Sequence, residues 1–101
     1  MALKIEQRHG LEGDAATAAA EKFAEKAQND EQMNKYVNLN WEWAVPGKKM
    51  SLDLKGRVKI KGELRLEAGK VVIELNLPLL AKPFGGIVRD RVEKNLKDIF
   101  A

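Results

Sequence analysis

The chain has 101 residues, of which 45% are hydrophobic and 33% are charged, a composition typical of one globular domain with one core. It has no cysteine and one histidine, which excludes disulfides, cysteine nucleophiles and multi-histidine metal sites. The net charge of +3 arises from 18 basic and 15 acidic residues, with the basic excess in the second half. We therefore expect a single domain over residues 1–101, without a metal or a cofactor.

Two features bear on location and on the class of partner. The longest apolar stretches are shorter than the roughly 20 residues that cross a bilayer, and the N-terminus lacks the apolar core of a signal peptide. The outward-facing basic residues have no aromatic side chain among them, so stacking on single-stranded nucleic acid is poorly supported. We expect a cytoplasmic protein with no membrane span and no nucleic-acid partner.

A short strand and a helix begin the chain. Leu3, Ile5 and Gln7 alternate with polar residues, which predicts a strand that ends near His9. Asp14 is predicted to be the N-cap of the helix that follows. This helix has a mostly alanine stripe at spacings of three and four, formed by Ala16, Ala20, Phe23, Ala24 and Ala27. It is expected to pack closely on a sheet.

The period changes to two after the polar segment 28–35, which is predicted to be a loop. A half-buried antiparallel strand is predicted from its apolar odd positions, which are Val37, Leu39, Trp41, Trp43 and Val45. From Met50 to Leu66 the apolar residues are even-numbered. Because a two-residue hairpin loop would exchange this parity, the chain either continues as one strand bent at Gly56 or Gly62, or turns through a three-residue loop. The pattern favours a loop or bulge at one glycine and does not choose between them.

The remaining segments predict a last strand and a second helix. The strand is indicated by Val71, Ile73, Leu75 and Leu77, and an amphipathic helix begins at Phe84. Together these elements predict an α+β fold, an antiparallel sheet of about four to five strands with two helices on one face, in the order β-α-β-β-β(-β)-α.

Two sets of side chains are candidates for binding. An apolar groove is predicted from Trp41, Trp43, Leu79, Leu80, Phe84 and Ile87, although core packing of the two tryptophans is the simpler interpretation. An anion-facing stripe is predicted on the outward sheet face from Lys55, Arg57, Lys59, Lys61 and Arg65. A solvated strand that discourages edge pairing is the ordinary explanation of that stripe.

Neither the histidine nor the glycine pair near the C-terminus indicates catalysis. His9 lies beside Gly10 at a strand end, where a turn-stabilising role is the simpler interpretation. Gly85-Gly86 at the start of the last helix lacks the lysine and the spacing of a phosphate-binding loop. With no nucleophile motif in the chain, we expect no enzymatic activity.

Three segments carry a family resemblance. They are Ile5-Glu6-Gln7-Arg8-His9-Gly10-Leu11 before an alanine-rich helix, the strands around Gly56 and Gly62, and Leu77-Pro78-Leu79-Leu80 leading into Phe84-Gly85-Gly86-Ile87. In their order and spacing the chain resembles, over nearly its whole length, the polyhydroxyalkanoic acid system family, small bacterial proteins encoded beside polyhydroxyalkanoate granule genes. The order of elements also resembles, more loosely, the helix-grip folds.

The resemblance implies a non-enzymatic accessory protein of polyhydroxyalkanoate granule metabolism. Its partner would be the granule or a granule protein, and the predicted groove would contact an apolar ligand, a polymer surface or that protein. The alternative is a homo-oligomeric structural or interaction module with no small-molecule ligand, such as a homodimer formed through a sheet edge or a helix face.

Overall fold

The computed structural model describes residues 2–78 and 82–100. Within those ranges the strands are β1 (Ala2–Arg8), β2 (Val37–Val45), β3 (Lys49–Gly56), β4 (Lys59–Glu67) and β5 (Lys70–Asn76). The helices are α1 (Gly13–Gln28), α2 (Glu31–Asn34) and α3 (Lys82–Phe100). The predicted α+β class and its antiparallel sheet are confirmed.

The sheet has the strand order β1-β5-β4-β3-β2, and every neighbouring pair is antiparallel. Strands β2 to β5 form a meander, and β1 adds to the free side of β5, so β1 and β2 are the edges. On one face α1 packs against β2, α3 packs against β1, and the two helices contact each other. The core fills the space between helices and sheet, with Phe23, Met50 and Leu64 fully buried. The opposite face carries the polar and charged residues of the strands.

The sequence pattern did not decide which glycine marks the turn between β3 and β4, and the structure places this turn at Gly56. Lys55 pairs with Lys59, so the β3–β4 turn contains the three residues Gly56, Arg57 and Val58 and preserves the even parity. Gly62 lies inside β4, opposite Leu52 on one neighbour and Leu75 on the other.

Three local predictions need correction. Asp14 is not the N-cap, because α1 begins at Gly13 after Glu12, and Asp14 lies exposed in the first turn. There its negative charge still favours the helix N-terminus. The predicted loop over 28–35 contains α2, which Asp30 caps. Helix α3 begins at Lys82, before the predicted Phe84, because Pro83 is tolerated in a first helical turn.

None of the described helices combines the length and the apolar composition that a membrane-spanning segment requires.

Candidate functional site

The two tryptophans of β2 lie between this strand and α1. Both are half-buried and pack against the core. The indole Nε1 of Trp41 donates a hydrogen bond to Oε1 of Gln28 at 3.2 Å, and that of Trp43 donates to Oε2 of Glu21 at 3.0 Å. Because α1 satisfies both indole N–H groups, these rings hold the helix on the edge strand. Their predicted role in ligand binding stays a prediction.

Phe84 and Ile87 lie at the first turns of α3, at one end of the sheet. The Phe84 ring contacts the ring of Tyr36, just before β2, with centroids 5.3 Å apart and planes tilted by 42°, within the favourable range for aromatic pairs. Ile87 follows Phe84 by three residues on the same side of the helix and is 36% exposed. Leu79 and Leu80, also predicted to line the groove, lie outside the described residues.

The β3–β4 turn contacts the same tyrosine, Tyr36, through Arg57. The backbone N–H of Arg57 donates to the carbonyl oxygen of Tyr36 at 3.0 Å, and the guanidinium carbon of Arg57 lies 5.6 Å from the centre of the Tyr36 ring, within cation–π distance. Gly56 permits this approach, because a Cβ atom there would lie 2.9 Å from Cα of Val37 and closer still to the Tyr36 carbonyl.

The turn carries basic side chains at the same end of the sheet as these apolar residues, with Arg57 at the Tyr36 ring and with Lys55 and Lys59 on the sheet face opposite the helices. Lys55, Arg57 and Lys59 are all exposed, and the segment 55–61 has four basic residues and no acidic one. We use the name aromatic–basic end for a surface made of Tyr36, Lys55, Arg57, Lys59, Phe84 and Ile87. It unites part of the predicted groove with part of the predicted stripe. Trp41 lies about 16 Å further along β2 from Tyr36, since a strand rises about 3.3 Å per residue.

Arg65 differs from the rest of the predicted stripe because it forms ion pairs with three glutamates. Its guanidinium nitrogens lie 2.7 Å from Oε1 of Glu74 and 3.4 Å from carboxylate oxygens of both Glu63 and Glu67. The hydrogen bond with Glu74 is the main cause that raises the pKa of Arg65, and Arg65 in turn lowers the pKa of the Glu74 carboxyl. This arginine is therefore neutralised by its neighbours, whereas the net positive charge of the stripe lies nearer the β3–β4 turn.

A buried polar cluster joins α2 to α3 and was not predicted. The side chain of Asp30 is 3% exposed. Its Oδ1 accepts hydrogen bonds from the backbone N–H groups of Gln32 and Met33, and its Oδ2 accepts from Nε of Arg91 at 2.9 Å and Nδ2 of Asn95 at 2.8 Å. An aspartate just before Glu31 is an N-cap signal that could have revealed α2, but the sequence gives no sign of its partners on α3.

His9 stabilises the turn after β1. Its Nδ1 accepts a hydrogen bond from the backbone N–H of Leu11 at 3.1 Å, and its ring lies 5.0 Å from that of Phe100. These contacts agree with the structural interpretation of this residue. Across the part of the chain that the structure describes, no group of three or more His, Cys, Asp or Glu side chains is arranged to hold a metal ion.

Comparison with known protein families identifies a match over nearly the whole chain. A family described as "putative polyhydroxyalkanoic acid system protein" matches residues 3–100. Neither the curated proteins nor the solved structures contain a match to this chain.

Proposed function

This chain belongs to the polyhydroxyalkanoic acid system protein family, and from that premise we propose a cytoplasmic, non-enzymatic accessory protein that binds the polyhydroxyalkanoate granule or a granule protein. The family supplies the biological setting. The aromatic–basic end supplies the surface, because a protein that binds a polymer or a partner needs apolar side chains that solvent can reach.

The observation that carries this proposal is the position of Ile87. It is exposed one helical turn after the half-buried Phe84, whose ring contacts that of Tyr36, and Arg57 of the basic β3–β4 turn lies over the Tyr36 ring. Apolar contacts at the centre of a surface with charged groups around them are the usual arrangement of a binding site.

In this proposal the other predicted groove residues extend the apolar contact. Leu79 and Leu80 precede α3 in the sequence, and Trp41 and Trp43 lie further along β2. The tryptophans also give a test of how far the contact reaches, because indole emission shifts when a ring leaves water.

The test is sedimentation with purified granules at low and high salt, with tryptophan emission recorded for the bound protein. We expect Ile87→Asp to weaken binding at both salt concentrations, because apolar contact resists screening. The matched control is Val45→Asp, which changes the other large exposed apolar residue of the described chain, 46% exposed, and is expected to bind like the wild type. Binding with unchanged emission would confine the contact to the aromatic–basic end, and a shift would extend it to Trp41 and Trp43. No binding by the wild-type protein excludes the proposal.

A second candidate, self-association, is favoured by the composition of the β2 edge. Of the nine residues of β2 only Glu42 is ionisable, whereas the opposite edge β1 contains Lys4, Glu6 and Arg8. Charged residues discourage pairing of an edge strand with another chain, so a second copy would add at β2. Gln28 covers part of this edge, since its Nε2 donates to the carbonyl of Leu39 at 3.1 Å.

Light scattering over a range of concentrations tests this second candidate. We expect a dimer whose fraction rises with concentration, and a larger dimer fraction for Gln28→Ala, which uncovers the Leu39 carbonyl. A monomer at every concentration for both proteins excludes it.

A further inference from the structure

We propose that the aromatic–basic end binds an anionic lipid surface, with Phe84 and Ile87 among the acyl chains and the β3–β4 turn at the level of the head groups. This inference rests on the proposed function, because it specifies the chemistry of the granule surface to which the protein binds.

The charge of the turn fits anionic head groups. Lys55 is 3.5 Å from Oδ2 of Asp53, but among the described contacts Arg57 and Lys59 form no ion pair. Their charge is therefore available to a partner. Each basic residue near an anionic membrane strengthens binding by about fivefold.

The apolar part of the end fits the acyl region. Phe84 and Ile87 share one side of α3 at the point where the helix begins, so both can enter a surface that the helix approaches by its end. Apolar side chains bordered by Lys and Arg are the arrangement by which proteins lie at a membrane interface. Arg57 contacts Tyr36 through its backbone N–H and its guanidinium, so its position beside the Tyr36 ring is set before binding.

The same contacts disfavour single-stranded nucleic acid. Proteins that bind it stack bases on free aromatic faces. Here the ring of Tyr36 is contacted by the Arg57 guanidinium and by the Phe84 ring. An exposed Ile87 also gains nothing from a phosphate backbone, whereas it gains from hydrocarbon.

The test is sedimentation of the full chain with phosphatidylcholine vesicles, with and without phosphatidylglycerol. We expect binding only to the vesicles that contain phosphatidylglycerol. The double variant Arg57→Glu with Lys59→Glu is expected to weaken binding by at least about tenfold, since two charges are reversed. Ile87→Asp is expected to remove the binding that persists at high salt.

The matched controls lie in the β2–β3 turn, at the opposite end of the strands. Lys48→Glu and Val45→Asp change exposed residues there and are expected to bind within about twofold of the wild type, because neither is part of the proposed surface. All substituted residues are exposed, and urea unfolding of each variant verifies the fold. Equal binding to pure phosphatidylcholine, equal loss in the controls, or tighter binding to single-stranded DNA or to an acidic peptide overturns the inference.

Lipid-free polymer particles separate this inference from the proposed function. If the protein binds the lipid-free particles as strongly as lipid-coated particles, the lipid inference is wrong and the proposed function is retained. Binding to vesicles without binding to granules overturns the proposed function and retains the lipid surface.

Discussion

Asp30 accepts a hydrogen bond from the Asn95 side chain at 2.8 Å, although 65 positions separate them in the sequence. Asn95 is only 2% exposed, and the same carboxylate oxygen accepts from Arg91. The other oxygen of Asp30 caps α2. One buried carboxylate therefore fixes a four-residue helix, too short to be stable alone, against α3.

Asp30→Ala is expected to lower the free energy of unfolding by about 2–3 kcal/mol. The change removes a helix cap that contributes about 1 kcal/mol. It also leaves the Asn95 amide and the Arg91 Nε without their acceptor, which costs about 1 kcal/mol or more. Asp30→Asn retains a capping oxygen and is expected to cost less. Urea unfolding of the three proteins at pH 7 measures both differences. Equal stability of wild type and Asp30→Ala would contradict the structural role of this cluster.

The Asp30 cluster is also expected to lose its contribution in acid. Burial by itself raises the pKa of Asp30, but hydrogen bonds from Asn95, Met33 and Arg91 outweigh it and hold this pKa below its ordinary value of 3.8. The unfolded chain therefore takes up the proton first, so the stabilisation is complete above pH 3.8 and disappears as the pH falls through the lower folded value.

The measurement is the difference in unfolding free energy between wild type and Asp30→Asn as a function of pH. This difference is expected to be constant from neutral pH down to about 5 and to shrink below 3.8. Because Glu6, Glu74 and Asp98 also have lowered pKa values and are present in both proteins, the difference isolates Asp30. A difference that grows in acid would contradict the assignment.

The two glycines of the second half show what the periodicity of the sequence can and cannot predict about the turn. The even parity from Met50 to Leu66 correctly restricted the chain to a three-residue loop or a single bent strand. Gly56 and Gly62 fit the pattern equally well, because the choice depends on residues from other strands. Gly56 faces the carbonyl of Tyr36, whereas Gly62 faces Leu75 of β5, and neither neighbour is apparent from a period of two.

The same reason explains which parts of the candidate site were predictable. Phe84 and Ile87 were predicted as apolar binding residues and Arg57 as an anion-facing one, each from its own segment. These three residues lie at the same end of the sheet because of where α3 begins and which strand adjoins β3. The local sequence pattern contains neither fact. Arg65 has the same parity as Arg57, but the β4–β5 register places Glu74 within its reach.

Gly62→Ala is expected to destabilise the protein by about 1–3 kcal/mol, the usual cost of overpacking. A Cβ atom there would lie 2.6 Å from Cδ2 of Leu75 and would also collide with the carbonyl of Glu74. Backbone atoms in the middle of a sheet move little, so β4 and β5 would have to separate.

Gly10→Ala is the control for this substitution. A Cβ atom at Gly10 meets nothing within 4 Å, so the change is expected to be neutral or to stabilise by up to about 1 kcal/mol through the unfolded chain. Thermal unfolding of both variants makes the comparison. Equal midpoints would show that β4 does not approach β5 as closely as the structure describes.

Arg65 is expected to stabilise the outer sheet face through its hydrocarbon chain as well as its charge. Val72, directly opposite Arg65 on β5, faces the polar side of the sheet and is nevertheless 0% exposed. Exposed ion pairs contribute only about 0–1 kcal/mol each, whereas an arginine chain covers apolar surface. Arg65→Ala is thus expected to cost about 1–2 kcal/mol, and Arg65→Met, which keeps an unbranched apolar chain without the charge, to cost less than half of that. If the two variants are equally unstable in urea, the ion pairs with Glu63, Glu67 and Glu74 account for the effect, and the difference from wild type then decreases with added salt.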